Sequence, residues 1–106
     1  HKKQVVETIN GNLFLVNGNT IKTPPLEDGC LNGILRKQLI ELITALEDYE
    51  IIEASISPFE LQKADELFLT NTILGLVPIT KYRKKEFATA IAKSFIGKLN
   101  ARARLA

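Results

Sequence analysis

The order of short elements between Glu7 and Arg36 constrains the fold of this chain more than any other feature. Two apolar, strand-like runs flank Asn17-Gly18-Asn19, and Asn-Gly readily adopts the positive φ that a tight hairpin needs. Pro24-Pro25 ends the second run, because proline can neither donate to a sheet ladder nor enter a helix interior. The stretch therefore predicts a small meander of strands that leads into a helix.

The rest of the chain alternates apolar strands with helical periodicity. Apolar residues at helical spacing predict one helix from Gly33 or Ile34 to about Asp48 and another from Glu86 to about Ala103. Ser57-Pro58 predicts an N-cap with proline at the first helical position, and so a short helix from Pro58 to Lys63. The predicted strands are Gln4–Thr8, Leu13–Val16, Thr20–Thr23, Ile51–Ser57, Glu66–Thr70 and Leu76–Thr80, and Tyr82–Lys85 is expected to be a basic connector.

This β-β-β-α-β-α-β-β-α order predicts an α+β, or mixed α/β, domain with a mixed sheet and two main helices. Pro78 favours an edge or irregular position for the last predicted strand. At 106 residues the chain is expected to form a single domain, residues 1–106. It begins in a strand pattern without methionine, and we expect it to be part of a longer protein.

Charge and cysteine content exclude several classes of function. Residues 1–80 hold six Lys or Arg and eleven Asp or Glu, whereas residues 81–106 hold eight and one. We interpret the basic end as a solvated helix face and expect no nucleic-acid partner, because few aromatics accompany it. The single cysteine, Cys30, excludes an internal disulfide and agrees with a cytoplasmic location. With His1 as the only histidine we expect no metal site, and no apolar run is long enough to span a membrane.

Two features point to a ligand with both an anionic and a cationic group. Gly33 precedes a predicted helix start, where unpaired N–H groups and the positive end of the helix dipole attract an anion. Glu7 supplies a carboxylate that suits a protonated heteroatom. A phosphate at one end and a protonatable ring nitrogen at the other is a description of pyridoxal 5′-phosphate (PLP). Each feature alone is weak, since such carboxylates and glycines are usually ordinary surface and turn residues.

The order and spacing of these residues resemble the signature of the class IV PLP-dependent aminotransferases. That family includes branched-chain aminotransferase, D-amino acid aminotransferase and aminodeoxychorismate lyase. The resemblance covers the whole chain and implies the larger, C-terminal domain of the fold-type IV enzymes. The matching segments are Glu7, Ile9, Asn12-Leu13-Phe14, Ile21-x-Thr23, Leu31-x-Gly33-Ile34-x-Arg36 and, as a second landmark, Ala64-Asp65-Glu66 through Thr72.

The resemblance implies a role for four residues. Glu7 would pair with the pyridine nitrogen and keep the ring an electron sink. Ile34 and Leu35 would offer backbone N–H groups to the phosphate, and Thr72 would add a hydroxyl. The other conspicuous residues are expected to be structural: Arg36 in packing or an ion pair, Asn12 in holding a turn, and Cys30 as a small buried filler.

Two departures from the branched-chain pattern favour an aminodeoxychorismate lyase, which forms 4-aminobenzoate and pyruvate. Leu35 stands where branched-chain enzymes usually carry Thr. Asn71-Thr72-Ile73-Leu74-Gly75 replaces their Gly-Thr-Ala-Ala-Glu run. A branched-chain or D-amino acid aminotransferase is the alternative within the family, and a non-enzymatic binding domain is the alternative outside it.

The resemblance also implies a Schiff-base lysine upstream of the position of Glu7. Lys2 and Lys3 are too close to Glu7 along the strand to serve, so we expect no catalytic residue among residues 1–106 and no activity from this chain alone. Members of the family are dimers that act on small molecules. We therefore expect a homodimer in the full-length protein and a substrate that is an amino acid or aminodeoxychorismate.

Overall fold

A computed structural model describes residues 12–25, 34–71 and 74–105 of the chain. The predicted strand Gln4–Thr8 lies outside these residues. The described helices are α1 (Ile34–Ala45), α2 (Pro58–Lys63) and α3 (Ala90–Leu105). The strands are β1 (Asn12–Asn17), β2 (Thr20–Thr23), β3 (Glu50–Glu53), β4 (Glu66–Asn71), β5 (Gly75–Ile79), β6 (Lys81–Tyr82) and β7 (Lys85–Glu86).

Strands β1 to β5 form one sheet in the order β3-β2-β1-β4-β5. β2 and β3 are parallel, and the other three neighbouring pairs are antiparallel. The predicted mixed sheet is therefore confirmed. β5 is an edge strand, so Pro78 occupies the position that a residue without an N–H group favours.

The turn between β1 and β2 forms at the predicted Asn-Gly sequence. Gly18 has a φ of 61°, a left-handed conformation that glycine adopts without steric cost. The Gly18 N–H donates to Asp65 Oδ2 at 2.7 Å, so a carboxylate from just before β4 holds the turn. The β1–β2 hairpin is thereby tied to the strand beside it.

Alternate residues of each central strand enter two apolar cores, one on each face of the sheet. In β1, Phe14 and Val16 face α1 and α3, whereas Leu13 and Leu15 face α2 and the β6–β7 hairpin. Phe14 stacks on Phe68 of β4 with ring centroids 5.2 Å apart. The first core contains Phe14, Val16, Ile21, Leu39, Leu42, Ile43, Phe68, Leu76, Ala92 and Phe95, and the second contains Leu13, Leu15, Leu61, Ala64, Leu67, Leu69, Ile79, Tyr82 and Phe87.

Helix α2 has the predicted boundaries, because its ends are fixed by nearby side chains. At its start Ser57 and Glu60 form a capping box, with Ser57 Oγ accepting from the Glu60 N–H and Glu60 Oε1 accepting from the Ser57 N–H. At its end Lys85 Nζ donates to the carbonyl oxygens of Gln62 and Ala64, at 2.5 and 2.8 Å. An ion pair of 2.6 Å between Lys22 and Glu60 fixes the helix against β2.

Two element predictions near the end of the chain are wrong. The expected connector at Tyr82–Lys85 is part of the β6–β7 hairpin, with Arg83 at a φ of 59° in its turn. The expected helix from Glu86 begins at Ala90, because Glu86 pairs with Lys81 in this hairpin and Phe87 is buried in the second core. Tyr82 and Phe87 lie on either side of the basic residues 83–85, and the burial of both aromatic side chains keeps this segment extended.

Strand β3 and helix α1 end earlier than predicted. β3 ends at Glu53 rather than Ser57, because its partner β2 ends at Thr23, before Pro24-Pro25. One further bond, from the Ala54 N–H to the Thr23 carbonyl, closes the pairing. α1 ends at Ala45 rather than near Asp48, since the chain turns there to enter β3.

Candidate cofactor site

The start of α1 and five strand ends meet at one end of the sheet. The antiparallel and parallel pairings place the first residues of β1 and β5 beside the last residues of β2, β3 and β4. Helix α1 begins at this end, because Arg36 in its first turn donates to the Pro24 carbonyl and to Glu53. We call this region the site end of the sheet.

The first turn of α1 has the properties of an anion site. Ile34 and Leu35 are its first two residues, as the sequence predicts, and Ile34 is 74% exposed. The first N–H groups of a helix have no partner within the helix, and they lie at the positive end of its dipole. No acidic residue occupies the first turn. The position fits a phosphate, and contact of these two residues with a cofactor stays a prediction.

Two buried polar side chains lie on paired positions of neighbouring strands at the site end of the sheet. Asn12 of β1 and Thr70 of β4 are directly paired across the antiparallel ladder, so their side chains share the helix-facing side of the sheet. They are 4% and 2% exposed. Within the described part of the chain, neither Asn12 Oδ1 nor Thr70 Oγ1 has a hydrogen-bond partner. Such buried groups ordinarily bind a partner or an ordered molecule.

Thr70 is a candidate site residue that the sequence prediction lacks, although the alternation of β4 could have indicated the face on which it lies. Phe68 lies in the first core, so the residue two positions along must share its face. Asn12 is the first residue of β1, and the turn that it is expected to hold lies before it, outside the described residues. By contrast, Thr23 is satisfied, since its hydroxyl donates to the Leu13 carbonyl at 2.7 Å.

The expectation for Arg36, packing or an ion pair, is confirmed. Its side chain is buried, and Nη2 lies 3.0 Å from both the Pro24 carbonyl oxygen and Glu53 Oε1. These bonds join the first turn of α1 to the ends of β2 and β3. They fix where the helix start lies relative to the sheet.

The acidic landmark Asp65-Glu66 has a structural role that sequence reasoning missed. Asp65 accepts from Gly18, as described above. Glu66 is buried and accepts from the Ile91 and Ala92 N–H groups at 2.9 and 3.1 Å, at the start of α3. The partner of Glu66 is more than twenty residues away in sequence, so no local signal could have revealed it.

Several predicted residues lie outside the described residues. Glu7, the expected partner of the pyridine nitrogen, and Thr72, the expected phosphate contact, are among them, as are Gly33 and Cys30. Thr72 follows Asn71, the last residue of β4, in the sequence. In the described ranges, no group of three or more His, Cys, Asp or Glu side chains could hold a metal ion. None of the described helices is long and apolar enough to cross a membrane.

Comparison with known proteins identifies the family. The class IV amino-transferase family model matches residues 1–82. This chain belongs to the class IV aminotransferase family. The family depends on PLP, as the resemblance implied.

Three relatives illustrate the match. The mitochondrial branched-chain-amino-acid aminotransferase 1 of Arabidopsis thaliana is 40% identical over 77 residues, which is 73% of this chain and 20% of that protein. An aminotransferase of Brucella abortus, solved with bound PLP, is 26% identical with a TM-score of 0.73 over 85% of this chain and 33% of its own. The 4-amino-4-deoxychorismate lyase of Pseudomonas aeruginosa shares the fold, with a TM-score of 0.77 at 24% identity over 88% of this chain and 36% of its own.

These matches confirm the predicted fold, that of the fold-type IV enzymes. The chain spans only about a fifth to a third of the length of the curated relatives it matches. Both lyases and aminotransferases are among the similar proteins, so membership of the family leaves the reaction open.

Proposed function

We propose that this chain is the PLP-binding, C-terminal domain of a class IV enzyme. The observation that carries this proposal is the helix start at the site end of the sheet. There the first turn of α1 has no acidic side chain, and the buried Asn12 and Thr70 have polar atoms without described partners. A phosphate-bearing cofactor would satisfy the helix start, and its presence would give those polar atoms a polar neighbour.

The predicted site residues bind the two ends of the cofactor in this proposal. The Ile34 and Leu35 N–H groups donate to the phosphate, and the Thr72 hydroxyl adds a third donor. Glu7 keeps a proton on the pyridine nitrogen. When bound, PLP withdraws electrons from the substrate's reacting carbon, which is the chemistry the protein itself lacks. We further propose a cytoplasmic homodimer as the full-length protein, with the reacting lysine outside residues 1–106.

The reaction we propose is that of an aminodeoxychorismate lyase. The sequence features in favour are Leu35, which offers the phosphate only its backbone, and the segment from Asn71 to Gly75. In that segment Asn71 Oδ1 accepts from the Leu74 N–H at 2.8 Å, a bond that the Gly at the start of the branched-chain segment could not make. The proposed products are 4-aminobenzoate and pyruvate.

A branched-chain aminotransferase is the second candidate. It is favoured by the Arabidopsis relative that carries this name at 40% identity, a closer match than the Pseudomonas lyase. Both reactions use the same cofactor and begin with the removal of a proton from the substrate, and they differ in the steps after it.

Proline substitution at the helix start tests PLP binding by the chain itself. Ile34→Pro removes one N–H group but suits the first position of a helix, so folding should be little affected. We expect the dissociation constant for PLP, followed by absorbance in the full-length protein, to rise about tenfold, because one charge-assisted hydrogen bond is lost. Ala90→Pro is the matched control at the first position of α3, and it should bind like wild type.

Equal affinity of Ile34→Pro and Ala90→Pro for PLP would contradict the assignment of the phosphate to α1. Activity tests the other end of the cofactor: Glu7→Ala in the full-length enzyme should severely reduce turnover. Product analysis separates the two candidate reactions. Pyruvate released with 4-aminobenzoate, independent of any keto-acid acceptor, marks the lyase, whereas conversion of bound PLP to its amine form by an amino acid marks the aminotransferase.

A further inference from the structure

Arg36 carries a buried positive charge in the first turn of α1. It is the third residue of the helix, and its side chain is only 6% exposed. One terminal nitrogen, Nη2, donates to the Pro24 carbonyl and to Glu53. Within the described ranges, the buried Nε has no hydrogen-bond partner.

The charge of Arg36 is only partly compensated. Its carboxylate partner Glu53 is 51% exposed, so water screens the negative charge more than the positive one. The contact uses a single guanidinium nitrogen rather than the two parallel bonds of the strongest arginine–carboxylate pairs. A net positive potential should therefore remain at the start of α1, where it adds to that of the helix dipole.

We propose that Arg36 is a positioning residue that strengthens phosphate binding at the start of α1 through its buried charge, without touching the phosphate. This inference rests on the proposed function. The guanidinium is held by the Pro24 carbonyl and Glu53, on the sheet side of the helix. The N–H groups of Ile34 and Leu35 belong to the same turn, so the charge and the anion site are about 10 Å apart at most. At that distance low-dielectric surroundings still transmit the charge.

A purely structural Arg36 would explain the same contacts, since they join α1 to β2 and β3. The two roles differ in what happens when Glu53 loses its charge. Glu53→Gln keeps a carbonyl oxygen for Arg36 Nη2 but removes the negative charge that opposes the guanidinium. A structural role predicts unchanged or weaker binding of PLP, whereas an electrostatic role predicts tighter binding.

The experiment compares Glu53→Gln with Glu50→Gln in the full-length protein. Glu50 is exposed and lies on the same strand, at its other end, so its substitution changes the net charge equally but about 10 Å away. The probes are PLP and pyridoxal, which lacks the phosphate. We expect Glu53→Gln to bind PLP about threefold more tightly at low salt, about 0.7 kcal/mol, with no change for pyridoxal or for Glu50→Gln.

Arg36→Lys provides a second variant if Glu53→Gln folds poorly. It retains the positive charge and should bind PLP within about threefold of wild type, whereas Arg36→Gln should weaken PLP binding about tenfold and leave pyridoxal binding unchanged. At about 1 M salt the gain from Glu53→Gln should disappear, because the screening length falls to about 3 Å.

Equal PLP affinities of Glu53→Gln and Glu50→Gln would overturn the electrostatic role, and so would equal losses for PLP and pyridoxal in Arg36→Gln. A wild-type protein that binds no PLP would instead overturn the proposed function, and this inference with it. The two failures are therefore distinguishable.

Discussion

The two hydrogen bonds that Glu66 accepts at the start of α3 give the sharpest test of what stabilises this fold. Glu66 is 3% exposed and begins β4 in the centre of the sheet. Its two carboxylate oxygens accept from the Ile91 and Ala92 N–H groups at 2.9 and 3.1 Å. Two of the unpaired donors at the start of a helix are thus satisfied by one buried charge, which also complements the helix dipole.

The expected cost of losing this carboxylate is large. Glu66→Ala leaves two N–H groups without acceptors in a buried position, at about 1–3 kcal/mol for each, with entering water recovering part. We expect a loss of about 3 kcal/mol in the free energy of unfolding. Glu66→Gln keeps one carbonyl acceptor but loses the charge and the second acceptor, so its cost should be about 1.5 kcal/mol.

Urea unfolding followed by far-ultraviolet circular dichroism measures these changes, since the chain contains no tryptophan. Glu41→Gln, an exposed glutamate of α1, is the control and should change stability by less than about 0.5 kcal/mol. Amide hydrogen exchange should show faster exchange at Ile91 and Ala92 in Glu66→Ala. Stability within about 0.5 kcal/mol of wild type in Glu66→Ala would refute the reasoning.

Three further predictions concern turns and caps. Ser57→Ala should lower stability by about 1 kcal/mol in urea unfolding, because the capping box of α2 is lost. The Lys22 ammonium and the Ser57 N–H lower the pKa of Glu60 below its ordinary 4.5, so Glu60 stabilises the fold above that pH and the contribution is lost as the pH falls through the lowered value. Urea unfolding at pH 6 and pH 3 should therefore show a smaller fall in the free energy of unfolding for Glu60→Gln than for wild type. Gly75→Ala should lower the free energy of unfolding by about 1–2 kcal/mol, because the φ of Gly75 is 83°. Gly97→Ala, in the interior of α3, should raise it by about 0.5–1 kcal/mol. Equal thermal midpoints for these two variants would contradict the prediction.

The elements that the sequence predicts well are those defined by local chemistry. The residues that cap the start of α2 lie within or next to that helix, so Ser57-Pro58 predicts its start without any knowledge of the rest of the fold. The β1–β2 turn forms at Asn17-Gly18-Asn19 for the same reason. Apolar spacing also predicts α1, although its last turn is shorter than expected because the chain must return to pair with β2.

The errors occur where distant contacts determine the structure. The segment 81–86 looks like a solvated connector because four of its six residues are basic. It becomes a hairpin because Tyr82 is buried in the core around α2 and Lys85 caps that helix. The start of α3 depends on Glu66, which periodicity within the helix itself could not reveal.

The candidate site was only partly predictable for a related reason. Ile34 and Leu35 could be placed at a helix start from their own neighbourhood, and the structure puts them there. The alternation of β4 indicates which face of the sheet Thr70 shares, but its importance depends on the pairing of β1 with β4, which places it opposite Asn12. The ion pair of Arg36 likewise joins segments that only the β2–β3 pairing brings together.

The helix-facing side of the sheet contains buried polar groups at both ends, and the two ends differ in how those groups are satisfied. Between them the stacked Phe14 and Phe68 fill the centre. At one end Glu66 meets the N–H groups of α3, so the fold supplies its partner. At the site end Asn12 Oδ1 and Thr70 Oγ1 have no hydrogen-bond partner among the described residues. Burying a polar atom without a partner costs about 1–3 kcal/mol, a cost that folding alone gives no reason to retain. The same cost is reasonable where a phosphate-bearing cofactor binds beside a helix start, and this contrast is why we assign the site to that end of the sheet.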